Sequence, residues 1–331
     1  MSDAASPPRN PAGIGARLAA RLAARGPMDL LRANSVYVAF AILILIDIIF
    51  TPGFRNVFVV RNLLFDAAPV ILVTLGESLA IGTRGIDLSV GSTMGFAAAV
   101  MALALPAGPL VAIAAGLGGG LLIGLINGAL IAALDINPLI SSLALLVAAR
   151  GTAEALLDGS RVNLPTTGLF DALGIGAVWV IPYVAIIAII IAIVVAILVR
   201  TTVFGRSLTF IGSNRAAAII AGIKARRTLL FVYAASGLLA GLAGVFAAAR
   251  LGASDPNYIG LNYELDAIAA AVIGGTPLSG GRVSILGGLI GVLLLQVLGA
   301  TFIMNDINFS YAQILKAAFI VAALYLQRAG G

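Results

Sequence analysis

Between Asp171 and Arg200 the chain carries no charged residue, and the 22 residues Val178–Val199 within that interval are mostly Ile, Val and Ala. A helical run of about 20 apolar residues matches a hydrocarbon core about 30 Å thick. Lipid offers the backbone no hydrogen-bond partner, so a chain that crosses it must be helix or closed barrel. Barrel strands alternate apolar and polar residues over about ten positions; here the apolar runs are continuous, which predicts helices. Only 10% of the 331 residues are charged, against about 25% in soluble domains, too few to cover a water-facing surface.

The same pattern recurs along the chain and predicts an all-α polytopic membrane protein with about ten transmembrane helices, some short or discontinuous. The expected spans are Val36–Phe50, Leu64–Thr83, Ser92–Leu105, Leu110–Leu134, Leu139–Leu157, Val178–Val199, Leu229–Ala249, Leu265–Ile273, Ile285–Met304 and Ala312–Leu326. Leu265–Ile273 is too short to cross alone. Glycine is abundant, with 39 residues. Runs such as GLGGGLLIGLING at 116–128 set small residues at helical spacing, which lets helix backbones approach closely.

Charge orients this array. Arg200–Arg227 holds six basic residues and no acidic one, and Asp and Glu are absent from Ala172 to Ser254. Segments this basic between spans face the cytoplasm. With both termini on that side, 14 of the 20 Lys and Arg residues fall there, including five tail arginines from Arg9 to Arg32. Residues 1–35 read as a basic cytoplasmic tail without fixed structure, and 36–331 as one transmembrane domain with a cytoplasmic loop at 200–227. The net charge of +6 follows from this bias, so nucleic-acid binding is not inferred. The chain has no Cys and no His, which removes disulfides, thiolate metal sites and the commonest metal ligand and proton shuttle.

Three stretches stand out from the apolar background. Thr83–Gly95, TRGIDLSVGSTMG, places Asp87 and Ser89 between glycines where one span ends and the next begins. It reads either as a broken helix inside the protein or as a cytoplasmic turn whose polar residues cap the next helix. Glu264–Arg282, ELDAIAAAVIGGTPLSGGR, reads as a second discontinuous span, its two acids near the outer surface capping the helix start. LSVG at 88–91 and LSGG at 278–281 echo one another, as internal repeats of transporters do. In the basic loop, Asn214 is an N-cap, Arg215–Ala221 a short helix and Gly222 its C′ residue. Such a helix suits either a partner's groove or a lipid surface. Ionisable residues within spans are functional candidates: Asp47, Glu77, Arg150, Glu154 and Lys316. Arg150 and Glu154, four apart, are expected to pair.

TRGIDLSVGS, FGRSLTFIGSNRAAAIIAGIK and ARLGASDPNYIGLNYELDAIAAAVIGGTPLSGGR resemble the signature blocks of the membrane permease subunits of monosaccharide ABC importers, the branch that includes the ribose permease. The resemblance runs from about Ala67 to Leu326. It implies a multi-pass protein of the bacterial inner membrane, paired with a second permease chain, an ABC ATPase beneath and a periplasmic sugar-binding protein above. It also implies that the block from Gly205 to Lys224 presents a coupling helix to the ATPase, with Gly205, Arg206, Gly212, Asn214, Arg215, Ala216, Ala217 and Gly222 as the coupling residues. No cofactor is expected on this chain, ATP and Mg²⁺ belonging to the partner, and no GxxxxGK[ST] occurs in it. The family more often has Gly-Gly before the Ile-Asp pair and Lys-Gly near the end, where this chain has Arg84-Gly85 and Lys316-Ala317.

On this reading the chain is a transport subunit without catalytic or metal-binding residues. The sugar path is expected along the glycine-rich breaks, with Asp87, Ser89, Thr93, Asn127, Thr276, Ser279 and Gln296 offering polar contacts. The alternative is an ion-coupled secondary sugar carrier working through Asp47 or Glu77. A membrane enzyme is disfavoured by the lack of His and Cys.

Overall fold

The computed structural model describes residues 35–328. The N-terminal tail and the side chain of Lys316 lie outside the described part. In chain order the helices are α1 (Ser35–Phe50), α2 (Val57–Gly82), α3 (Val90–Leu103), α4 (Pro109–Ala132), α5 (Pro138–Leu156), α6 (Leu169–Ile175) and α7 (Tyr183–Thr201). They continue with α8 (Val203–Ser213), α9 (Arg215–Ile220), α10 (Ala225–Leu251), α11 (Tyr263–Ile273), α12 (Ile285–Met304) and α13 (Phe309–Arg328). Among the described residues α2, α4, α5, α7, α10 and α12 are long and apolar enough to cross a membrane, and Val36–Phe50 and Val90–Leu103 are shorter apolar helices. The chain is a helical polytopic membrane protein.

Two helices form the centre. From Ala67 to Gly82 every residue of α2 is buried, the mark of a helix packed on all sides. α10, at 27 residues about 40 Å long, packs most extensively against α4 and then against α2 and α3. The α4–α10 contact is backbone on backbone. A Cβ on Gly120 would stand 2.5 Å from the Gly237 carbonyl oxygen and 2.6 Å from Gly241 Cα. The glycine spacing seen in the sequence thus brings these helices together by dispersion and close fit, which in lipid replaces the hydrophobic drive.

Several boundaries differ from the sequence expectation. α2 starts at Val57 instead of Leu64, because the Asn56 side chain caps it by accepting from the Phe58 amide. Arg61 is therefore helical, donating to the Ile175 carbonyl. The expected span Val178–Val199 begins with a hairpin, Ala177–Val178 against Ile181–Pro182, turned at Trp179 with φ +55°. Its helix starts only after Pro182, which lacks the N–H a helix interior needs. α10 starts at Ala225, so Arg226 and Arg227 lie on the helix and not in a loop.

Two helices are half-length. α3 has 14 residues and α11 has 11, about 21 and 16 Å, so neither crosses the bilayer. They meet near their N-terminal ends, Gly91 lying against the Gly260 carbonyl and the Glu264 carboxylate. From there α3 runs toward the end of the bundle that holds the connection to α4, and α11 toward the basic end that holds α8 and α9. Glu264, half-buried, thus sits beside α3. The reason is Arg150, whose Nη1 donates to the carbonyls of Pro256 (2.7 Å) and Ile259 (2.8 Å) and draws the 255–262 connection inward. The expected Arg150–Glu154 pair does not form; those two carbonyls take the guanidinium instead.

Candidate functional site

At the basic end the three sequence blocks converge. α2 ends at Gly82, the 274–284 connection returns beside it, and the C-terminal turn of α8 closes over both. The Gly281 amide donates to the Gly82 carbonyl at 3.0 Å, and Arg84 Nε donates to the Ser279 carbonyl at 2.9 Å. A Cβ on Gly212 would collide with the Gly82 carbonyl oxygen and stand 2.5 Å from the Gly281 nitrogen. One on Gly281 would lie 2.6 Å from Ser213 Oγ. Contacts this close admit only glycine, so α8 is seated directly on the backbones of both broken segments. The LSVG and LSGG echoes belong to the segments joined here.

Arg84 adopts φ +70°, a left-handed conformation that costs a non-glycine residue about 1–2 kcal/mol. Its bond to Ser279 offsets part of that. The position where relatives of the resembled family more often carry glycine is thus one whose backbone favours it.

α8 is a helix that the sequence reading leaves as loop. Thr202 starts it, its hydroxyl accepting from the Gly205 amide. Leu208 and Ile211 are buried while Arg206 is exposed, with the 3.6-residue period of an amphipathic helix. Gly205 packs against the Val199 carbonyl of α7, so α7 and α8 meet at a tight corner. Arg206 Nη1 reaches back to the Thr201 carbonyl at 3.4 Å.

α9 follows after the single extended residue Asn214. Asn214 Oδ1 accepts from the Ala217 amide at 3.0 Å, which satisfies one of the four donors a helix start leaves open. Gly222, at φ +81°, ends the segment as a glycine C′ residue does. Only Ala218 of α9 is buried; Arg215, Ala216, Ala217, Ile219 and Ile220 are exposed. Arg215 Nη2 pairs with Asp135 Oδ1 at 2.7 Å, fixing the helix to the α4–α5 connection and countering a positive charge at the positive end of a helix dipole. Beside α9 lies a cleft of about 900 Å³ bordered by Asp135, Arg215, Ile219, Lys224 and Arg227.

Deeper in the bundle, Asp87 is 1% exposed and gathers the polar residues of four helices. Its Oδ1 accepts from Ser89 N (3.1 Å), Ser89 Oγ (2.6 Å) and Asn127 Nδ2 (3.1 Å), and its Oδ2 from Ser236 Oγ (3.0 Å). The Asp87 amide donates to the Glu77 carboxylate at 3.3 Å, and Ser141 Oγ donates to Asn127 Oδ1 at 2.7 Å. Ser236 lies eleven residues into α10, about 16 Å from its start. The segment is therefore a broken helix buried in protein, not a turn at the surface. Four donors converge on this one carboxyl group, and a buried network of this kind fixes one arrangement of its helices. Tyr233 Oη is buried with no partner among the described residues and lies against Gly85. Ser89 is the N-cap residue of α3 but makes no side-chain cap bond; its hydroxyl is spent on Asp87.

The expected path residues fall into three places. Asp87, Ser89 and Asn127 share the network, with Thr93 buried one turn further along α3. Thr276 and Ser279 lie at the basic-end junction, Thr276 Oγ1 accepting from the Ser284 amide at 3.0 Å. Gln296 is on α12, where Nε2 donates to the Asp66 carbonyl at 3.4 Å. Asp47 is buried between Thr51 and Thr301, both hydroxyls donating to it at 2.8 Å. Among the described residues no three His, Cys, Asp or Glu side chains gather to hold a metal. Asp66 lies inside the expected second span yet is missing from the sequence-derived candidates; it sits beside Arg250, two tyrosines and a cavity.

A family described as branched-chain amino acid transport system / permease component matches residues 59–324. The chain is 37% identical over 301 residues to the galactofuranose transporter permease protein of Escherichia coli (strain K12), with 88% of each chain covered. It is 37% identical over 295 residues to the ribose import permease protein of Bacillus subtilis (strain 168), covering 88% of this chain and 91% of the relative. With the fructose import permease protein of Bifidobacterium longum (strain NCC 2705) the identity is 34% over 304 residues, 87% of this chain and 85% of the relative. No solved structure matches the chain.

Proposed function

The chain belongs to the branched-chain amino acid transport system / permease component family, and we propose that it is the transmembrane subunit of an ATP-driven ABC importer, forming the path for a monosaccharide or related polyol. The observation that carries this reading is the likeness, over nearly nine-tenths of the chain, to permeases of ribose, galactofuranose and fructose. It is a multi-pass protein of the bacterial inner membrane. Its partners are an ABC ATPase, a periplasmic sugar-binding protein and a second permease chain, and ATP with its Mg²⁺ stays on the ATPase. The charge bias supports both termini in the cytoplasm, and about ten crossings follow if α3 and α11 each complete one together with the non-helical segment that precedes it. An ion-coupled carrier finds no support in the relatives.

The ATPase docks at α9. The exposed residues of that helix stand beside the basic cleft, and behind it α8 is seated on Gly82 and Gly281. A displacement of α9 therefore reaches both broken segments through the backbone contacts of Gly212 with Gly82 and Gly281, reinforced by Leu208 packed on Gly82. Charge-bearing side chains at the surface set the docking, and glycine contacts behind them transmit it.

The test is Ala217→Pro. Proline removes the amide that Asn214 caps and disfavours the helical conformation of Ala216 before it, yet the residue is exposed and its change leaves the membrane core alone. Uptake and ATPase stimulation are expected to fall to background while the chain inserts in the membrane at the normal level. Retention of both activities would place coupling elsewhere.

A further inference from the structure

At the opposite end of the bundle a cavity of about 180 Å³ opens between α2, α10 and the 255–262 connection, lined by Asp66, Arg250, Tyr258, Gly260 and Tyr263 among others. We infer that this cavity is a vestibule that holds one monosaccharide ring on its way into the path. The inference rests on the reading of the chain as a sugar permease and gives it a site.

The cavity's floor is where the two half-length helices meet. Gly260 lines it and lies in backbone contact with Gly91 of α3, and Tyr263 is the first residue of α11. A bound molecule there would rest beside the N-terminal turns of two interrupted helices, an arrangement that transporters use at their substrate sites. Arg250, which also lines the cavity, is the penultimate residue of α10, some 40 Å along that helix from the basic end.

The wall chemistry suits a neutral polyol. Arg250 is held by three partners: Asp66 Oδ1 at 3.5 Å, Asn62 Oδ1 at 3.0 Å and the Phe65 ring at 4.5 Å from its centroid. Among the described residues Arg250 is also the only group bonded to the Asp66 carboxylate, so that carboxylate keeps lone pairs for hydroxyl donors. Asp66 and Arg250 offset one another inside the cavity, and Arg61, on the same Phe65 ring, is not among the residues that line it. Tyr258 and Tyr263 add aromatic faces for the C–H side of a sugar ring and hydroxyls with no partner among the described residues. Volume selects as well, since pockets for drug-sized ligands begin at about 300 Å³. Gln296, already singled out for the path, bonds the backbone of Asp66 and so supports the wall from α12.

The experiment uses the assembled transporter in proteoliposomes with its ATPase and binding protein. It reads uptake of labelled D-ribose, D-galactose and D-fructose against ATP hydrolysed. For the sugar that the wild type carries, Asp66→Asn should lower sugar moved per ATP about tenfold, the weight of one hydrogen bond to a charged group, and Tyr258→Ala about fivefold through loss of the ring face. Tyr258→Phe should stay within about twofold, since the ring face makes the contact. Membrane levels and ATP hydrolysis should hold in all three. In the same system the Tyr258→Cys variant, whose thiol is unique in the chain, should react with a maleimide more slowly in the presence of that sugar. Thr167→Cys, in an exposed loop before α6, should react at the same rate with and without it. Unchanged sugar per ATP in both weakened variants, or labelling of the Tyr258→Cys variant indifferent to the transported sugar, overturns the vestibule and leaves the permease reading standing. Protection by L-leucine instead of a sugar overturns the ligand class. A wild-type complex that moves none of the three sugars removes the premise, and the vestibule with it.

Discussion

At the basic end, Gly82, Gly212 and Gly281 bring three segments into backbone contact, whereas at the opposite end Asp66, Arg250 and Tyr258 stand apart around a cavity. The first region is joined at glycine backbones, with Leu208 and Val283 packed beside Gly82, and the second is walled mainly by charged and aromatic side chains. Backbone seated on backbone is either packed or parted, and close-packed interfaces move between discrete states instead of yielding gradually. That suits the passage of a rigid displacement. Side chains of mixed charge and aromatic character around an open volume suit the recognition of a small molecule. Between the two lies the Asp87 network, which ties α2, α3, α4 and α10 into one piece.

If that division holds, removing the tie should do the greatest damage. Asp87→Ala leaves the donors on Ser89, Asn127 and Ser236 unpaired in the interior, each costing about 1–3 kcal/mol. The variant is expected to lose more thermal stability in detergent than any of the substitutions at either end. Asp87→Asn should lose less, because an amide oxygen still accepts. Equal melting of Asp87→Ala and wild type would show that the network binds nothing together.

Gly212→Leu comes next. The added side chain meets the Gly82 carbonyl and the Gly281 amide, and overpacking of this kind costs about 1–3 kcal/mol. Melting should drop, and sugar-dependent ATP hydrolysis should be lost at temperatures where the chain is still folded. Arg84 gives a finer probe of the same end. Arg84→Ala keeps the left-handed backbone and forfeits the bond to Ser279, a loss of about 1 kcal/mol. Arg84→Gly forfeits the same bond and relieves about 1 kcal/mol of strain, so its melting point should match wild type within error. A lower melting point for the glycine variant than for the alanine variant would contradict the backbone argument.

The smallest effect belongs to the opposite end. Tyr258 is exposed, and Tyr258→Ala should shift stability by no more than about 0.5 kcal/mol while it changes transport. A large loss of stability there would erase the contrast between the two ends.

Local chemistry is legible in the sequence and long-range pairing is not. Asn214 and Gly222 declare the ends of α9 because capping and left-handed residues act within one turn of chain. The short helices α3 and α11 are legible from the length of their apolar runs. Arg150 misleads because helical spacing points to Glu154, whereas its partners are more than 100 residues away at Pro256 and Ile259. Arg84 and Ser279 are 195 residues apart, and no local pattern announces their bond. Two omissions had signals. The α8 helix shows in the spacing of Phe204, Leu208 and Ile211, which the surrounding basic residues obscure. Asp66 is a carboxylate inside an expected span, next to Phe65, and belongs with Asp47 and Glu77 on the same grounds.

The most direct measurement compares proteoliposomes that contain the permease alone with those that also contain the ATPase and binding protein, each given labelled sugar under an imposed ion gradient or with ATP. Uptake is expected only in the full assembly and only with ATP, abolished by Ala217→Pro and unaffected by collapse of the gradient. Gradient-driven uptake by the permease alone would contradict an ATP-driven importer.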